Sequence, residues 1–176
     1  SAILISQKFS KCTTIELDVA LANRATQRLS KIQNISVIQG TTREVLQEIL
    51  PNRQTGLLVW LDAHFSGGIT AGEDDKCPLM AEIKVIMDSR AKENTIVLID
   101  DARALIGHGE WPMLSDVVTI AVEAGWSAVS IDDVLVVADK SAIQQLLFNV
   151  EEDSRLFAVE KIAGNWKLIS YPINLM

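Results

Sequence analysis

The sequence predicts an α/β fold: a mainly parallel sheet with helices on both faces and an antiparallel edge toward the C-terminus. Three observations carry that expectation. Short β-type runs alternate with longer segments of helical period, the pattern of strand–helix–strand units. Two runs, "GLLVWLD" (56–62) and "NTIVLIDD" (94–101), are apolar on both faces, as strands in the middle of a covered parallel sheet are. Near the C-terminus, paired β-type runs are separated only by short turns, which permits antiparallel hairpins and no crossover.

The first residues, "SAILISQKF" (1–9), read as part of a helix, and "CTTIELD" (12–18) is β-branched and closes on two acids. From there to Lys31, Leu21, Ala25 and Leu29 recur every fourth residue, with Asp18 placed to cap the helix. "ISVIQG" (35–40) is the next strand, and "TTREVLQEIL" (41–50) a helix with Thr41 or Thr42 as cap, Glu44 in its first turn and Pro51 as its stop. After the strand at 56–62, "PLMAEIKVIMDSR" (78–90) opens with a proline suited to a first turn and buries Leu79, Ile83, Ile86 and Met87. The strand at 94–101 leads through a loop to a helix near 113–124, closed by Gly125. "WSAVSI" and "VLVVAD" flank Asp132 and Asp133 as a hairpin, a helix follows near 140–148, and "LFAVEK" and "NWKLISY" form a second hairpin around Gly164 and Asn165.

The bulk properties narrow the function. A chain of 176 residues suits a single domain, and 48% apolar residues supply a sizeable core. Sixteen basic against twenty-three acidic residues give a net charge of −7, which argues against a nucleic-acid groove or an anionic membrane surface. The apolar runs are far shorter than a bilayer span, and the N-terminus has no basic leader or long apolar core. Cys12 and Cys77 are too few for a disulfide framework, so a reducing, cytoplasmic setting is expected.

The polar residues concentrate at strand ends. Glu16 and Asp18, then Gly40, Thr41 and Thr42, then Asp62 and His64, then Asp100 and Asp101 each follow a β-type run. In open parallel sheets ligands bind beyond the carboxyl ends of the strands. One acidic strand end needs no function; four in succession favour a site.

At those residues the sequence resembles the class I S-adenosylmethionine-dependent methyltransferases, most closely the small-molecule O-methyltransferases of the catechol and macrolide-sugar kinds, over about residues 1–138. The resemblance implies a Rossmann-like sheet. "TIELD" (14–18) looks like the second strand, whose terminal acid, here Glu16, binds both ribose hydroxyls of the cofactor. "VIQGTTREVL" (37–46) resembles the third strand and its turn, so Gly40, Thr41 and Thr42 would border the adenine. "VWLDAHF" (59–65) and "VLIDDAR" (97–103) look like the fourth and fifth strands, whose ends in metal-dependent relatives hold one Mg²⁺; carried over, the ligands are Asp62, Asp100 and Asp101, and Asp62 also borders the cofactor. A lysine stands three residues past the fourth-strand aspartate in the catechol enzymes, where this chain has Phe65. His64 is then the candidate base and His108, in "ALIGHGEW" (104–111), its rival, since an unperturbed histidine pKa of about 6.5 suits proton abstraction near neutrality.

The glycine-rich turn that joins first strand to helix in that family is not in the sequence, which starts inside the expected helix. The expectation is therefore a single methyltransferase-like domain over 1–176, N-terminally incomplete, lacking the first strand and the glycine loop. With those residues upstream, S-adenosylmethionine-dependent methyl transfer to a small hydroxylated acceptor follows, a sugar or a phenol, assisted by Mg²⁺. Without them the sheet has exposed edges that favour pairing with another chain, as in a homodimer, and the fold would serve as a non-catalytic binding or oligomerisation module. A nucleotide-binding enzyme of another type is disfavoured because no GxxxxGK[ST] loop occurs. Gly67, Gly68 and Gly72 would allow a flap over the site, or serve as plain turn residues.

Overall fold

The computed structural model describes residues 2–51, 56–62, 77–89, 94–109, 111–147, 155–162 and 165–172, the last two segments as backbone. In chain order these form α1 (Ala2–Ser6), β1 (Cys12–Glu16), α2 (Val19–Leu29), β2 (Ile35–Gln39), α3 (Thr42–Ile49), β3 (Leu57–Leu61), α4 (Leu79–Asp88) and β4 (Thr95–Ile99). A 3₁₀ turn (Ala102–Ala104) precedes α5 (Leu114–Glu123), β5 (Ser127–Ile131), β6 (Val134–Ala138), α6 (Lys140–Leu147), β7 (Arg155–Ile162) and β8 (Asn165–Pro172).

The helix ends follow the local chemistry of the sequence. Asp18 caps α2 by accepting the Leu21 N–H at 2.7 Å. Thr41 caps α3: its hydroxyl accepts the Glu44 N–H at 3.2 Å and donates to the Glu44 carboxylate at 2.7 Å, which locks the first turn. Helix α5 ends in a Schellman motif, with Gly125 at φ 81°, its N–H bonded to the Val122 carbonyl, and the Trp126 N–H bonded back to the Ala121 carbonyl. The indole of Trp126 is buried beneath that turn.

The fold is α/β with an antiparallel C-terminal edge, but its pairing is not mainly parallel. Parallel ladders join β1 to β2 and β3 to β4; β4–β6, β5–β6, β5–β7 and β7–β8 are all antiparallel. The reason lies after β4. The hairpin partner β6, not β5, returns against β4, so the six-stranded sheet runs β3-β4-β6-β5-β7-β8. The strands β1 and β2 form a separate two-stranded sheet. Helix α3 touches β1 and packs beside α4, so it belongs to both units.

One face of the larger sheet carries the main core. Thr95, Val97 and Ile99 of β4, with Leu135 and Val137 of β6, meet Ile83 and Ile86 of α4 and Val117, Val118 and Ala121 of α5. The other face is covered by α6, where Ile143 packs with Val129, Val136 and Ala138. That cover does not extend over β3. The strand expected to be apolar on two buried faces buries Val59 and Leu61 but leaves Trp60 46% exposed. Among the described residues no helix is long and apolar enough to cross a membrane.

The β5–β6 hairpin turns through Asp132 and Asp133, and Asp132 sits at φ 51°. A positive φ at the first central residue matches strand twist but burdens a side chain that carries a Cβ. Because Asp132 is exposed, Asp132→Val tests the backbone with little packing change. It should cost about 1 kcal/mol or more, while Asp132→Gly should be neutral or gain up to about 0.5 kcal/mol, read as shifts in the urea midpoint. Equal midpoints for the two variants would contradict the strain at this position.

Candidate functional site at the strand ends

Each of the two parallel pairs ends in acids. In β1–β2, Glu16 is in register with Gln39, and the Gly40 N–H bonds the Glu16 carbonyl at 3.1 Å. The half-buried Glu16 side chain turns toward its own strand end, where Oε1 accepts the Asp18 N–H at 3.0 Å. That contact orders the carboxylate without exhausting it, because an ionised carboxylate offers about four lone-pair sites. Gly40 leads directly into Thr41 and the N-terminus of α3. The Thr41 hydroxyl is engaged in capping, so what Thr41 can offer a ring lying there is backbone and methyl. Thr42 is the first helical residue.

In β3–β4 the last registered pair is Leu61 with Ile99, and the Asp100 N–H bonds the Leu61 carbonyl at 3.0 Å. Asp62 and Asp100 therefore leave neighbouring strands at the same level, Asp62 exposed and Asp100 half-buried. The chain then turns sharply: Asp101 adopts the left-handed conformation, φ 52° and ψ 45°, and its N–H donates to the Asp100 carboxylate at 2.9 Å. A non-glycine residue held there reflects a surrounding structure that over-determines it.

Beside this turn stands Arg103, a residue the sequence reading did not single out. Its guanidinium bridges the Asp101 carboxylate at 2.7 Å and the Asp133 carboxylate of the β5–β6 turn. The same turn binds the backbone, since Asp133 accepts the Ala102 N–H through its carbonyl at 2.8 Å and the Arg103 N–H through Oδ1 at 2.9 Å. The strand end after β4 is thus clamped to the hairpin beside it. Sequence gives no direct sign of this, because the partners are 30 positions apart. Glu82, one turn into α4, is a second such residue. It is only 1% exposed, on the helix face it shares with Leu79, Ile83 and Ile86. A charge at a core position of an amphipathic helix is the signal that would have found it.

Glu16, Gly40, Thr41 and Thr42 therefore form one group, and Asp62, Asp100 and Asp101 another. Among the described residues no strand pairing joins the groups, and no set of three His, Cys, Asp or Glu stands close enough to hold a metal ion. His64, Phe65 and the glycines Gly67, Gly68 and Gly72 lie outside the described residues. His108 is exposed, in the loop between the 3₁₀ turn and α5. No known protein family, curated protein or solved structure matches this chain.

Proposed function

We propose that the chain is a class I S-adenosylmethionine-dependent methyltransferase of Rossmann-like topology, acting on the hydroxyl of a small acceptor. The observation that supports this most is the placement of carboxylates at the carboxyl ends of both parallel pairs, with Glu16 followed by the Gly40 turn in one and Asp62 beside Asp100 in the other. In this reading the two pairs present those ends to one ligand. Glu16 accepts hydrogen bonds from the two ribose hydroxyls, and Gly40, Thr41 and Thr42 border the adenine.

When bound, S-adenosylmethionine would supply an activated methyl group, transferred to the acceptor oxygen as the C–S bond breaks and sulfur keeps the bonding pair. His64 is the candidate base that would take the hydroxyl proton. Positioning supplies most of the rate, because the methyl donor is already activated. Mg²⁺ fits the donor chemistry, since this ion is commonly held by one or two carboxylates together with waters, and Asp62 and Asp100 would supply them. When bound, such an ion lowers the pKa of a coordinated hydroxyl. Asp101 is engaged by Arg103 and would join only by exchanging that partner.

A second reading has one specific observation behind it. Among the described residues β1 pairs only with β2, and β3 only with β4, so each has a side without a strand neighbour. An apolar edge such as Leu57–Leu61 is a template for another chain, as a binding or oligomerisation module would use.

Ligand-linked melting separates the two. A transferase should gain about 2.7 kcal/mol of stability at a hundredfold excess of S-adenosylhomocysteine over its Kd, a rise of roughly 5–10 °C in Tm. No rise with either S-adenosylhomocysteine or S-adenosylmethionine would leave the module reading. Loss of methyl transfer in EDTA, restored by Mg²⁺, is expected from the carboxylate pair; full activity in EDTA would remove the cation.

A further inference from the structure

We propose that Arg103 is a positioning residue: it holds Asp101 as an anchor, so that Asp100, and not Asp101, serves the cation beside Asp62. This rests on the cation of the transfer reading above and divides the work among its carboxylates. Asp101 is the pivot. Its φ of 52° and ψ of 45° place it in the left-handed region, and there its N–H donates to Asp100 Oδ1 at 2.9 Å. Because β4 and the 3₁₀ turn fix the chain on either side, a return to right-handed or extended backbone would turn the peptide between the two acids and withdraw that donor.

Bonds to Asp133 in the β5–β6 turn oppose that return. The Arg103 guanidinium joins the Asp133 carboxylate to that of Asp101. Asp133 also accepts the Ala102 N–H through its carbonyl and the Arg103 N–H through Oδ1, and these are the two amides directly after the pivot. A planar, forked guanidinium can serve two carboxylates at once, which a compact ammonium does less well. The Arg103 side chain is 71% exposed, so its ion pairs add little to global stability. Their effect is local: they fix one turn.

The division of roles follows from charge. Asp101 shares its carboxylate with a guanidinium at 2.7 Å, a partner that a divalent cation would have to displace. Asp100 accepts from a neutral N–H, which sets the direction of its carboxylate and leaves lone pairs for a ligand. Loss of a partner that orients a ligating side chain typically weakens metal binding about 10–100-fold. Coulomb attraction alone predicts the opposite sign, because Arg103 is a positive charge near the proposed cation and its removal would tighten binding. The sign of the change therefore separates orientation from charge.

The test is Mn²⁺ binding, read from the free-ion signal in electron paramagnetic resonance, with Tm measured beside it. Arg103→Met should raise the Kd for Mn²⁺ about tenfold, with Tm within about 4 °C of wild type. Asp101→Gly removes the carboxylate but keeps a residue at ease in the left-handed region, so its Kd should stay within about threefold of wild type. Asp101→Val also lacks the carboxylate but resists that region, and should bind about tenfold more weakly. Asp100→Ala should bind more weakly than any of these. A Kd that holds or falls in Arg103→Met, or that rises as far in Asp101→Gly as in Asp100→Ala, would overturn the division of roles. Wild-type protein that binds no Mn²⁺ yet is stabilised by S-adenosylhomocysteine would remove the cation and this role of Arg103, leaving methyl transfer. Mn²⁺ bound in the expected pattern, with no response to S-adenosylhomocysteine, would keep the role of Arg103 and remove the transferase.

Discussion

On the transferase reading, replacing Glu16 with alanine is expected to abolish the rise in Tm proposed for S-adenosylhomocysteine, with a fall of only about 1–6 °C in the melting of the free protein. The carboxylate is half-buried at the end of β1, and its one described bond, to the Asp18 N–H, lies at the start of α2 and not in the core. Losing that acceptor should cost about 0.5–1.5 kcal/mol of stability. The ligand loses more. Two hydrogen bonds from a vicinal diol to one ionised carboxylate, each worth about 1.5–3 kcal/mol, put the affinity loss at roughly a hundredfold or greater. Glu16→Gln separates the roles. Its amide oxygen can still accept from Asp18, but the charge is gone, so Tm should hold while Kd rises about tenfold by calorimetry. Wild-type Kd values in both variants would show that Glu16 only orders its own turn.

The largest stability effect is expected at Ile86. It is wholly enclosed at the centre of α4, among Val97, Ile99 and Val117, in the layer shared by α4, α5 and the sheet. Ile86→Ala removes transfer free energy and leaves a cavity, together about 3 kcal/mol, against which the better helix propensity of alanine returns only about 0.4 kcal/mol. For a chain of this size that is a fall of roughly 5–10 °C in Tm by circular dichroism. Val122→Ala, at an exposed position of α5, should fall within about 0.5 kcal/mol of wild type. Similar losses at the two positions would mean that the described core does not govern unfolding.

The elements were legible in the sequence because they rest on short-range causes. Asp18, Thr41 and Gly125 act within a few residues, and short β-branched or wholly apolar runs mark strands wherever they pair. Pairing was less legible. Strand–helix alternation implies parallel neighbours, yet β6 lies beside β4 because a hairpin can enter a sheet by either arm, and no local residue decides which. The site divides in the same way. Glu16, Asp62, Asp100 and Asp101 stand out because polar residues that end apolar runs are conspicuous. Arg103 does not, since its role depends on Asp133 arriving from a distant turn. Glu82 falls in the first turn of α4, where an acid is common, so its place on the Leu79, Ile83 and Ile86 face is the one sign that sets it apart.

The division into two ladders also bears on how the molecule breathes. Among the described residues, the smaller sheet, β1 and β2 with α1 and α2 on it, adds no side chain to the main hydrophobic cluster, which draws on Leu46 and Ile49 of the following α3 and on Leu50 at its C-cap. Partial unfolding of that lobe exposes little of the enclosed β4–β6 centre. The segment carrying Glu16 is therefore expected to exchange its amide hydrogens sooner than the β4–β6 centre, and on the transferase reading a nucleoside bound across both lobes would couple their motions into one.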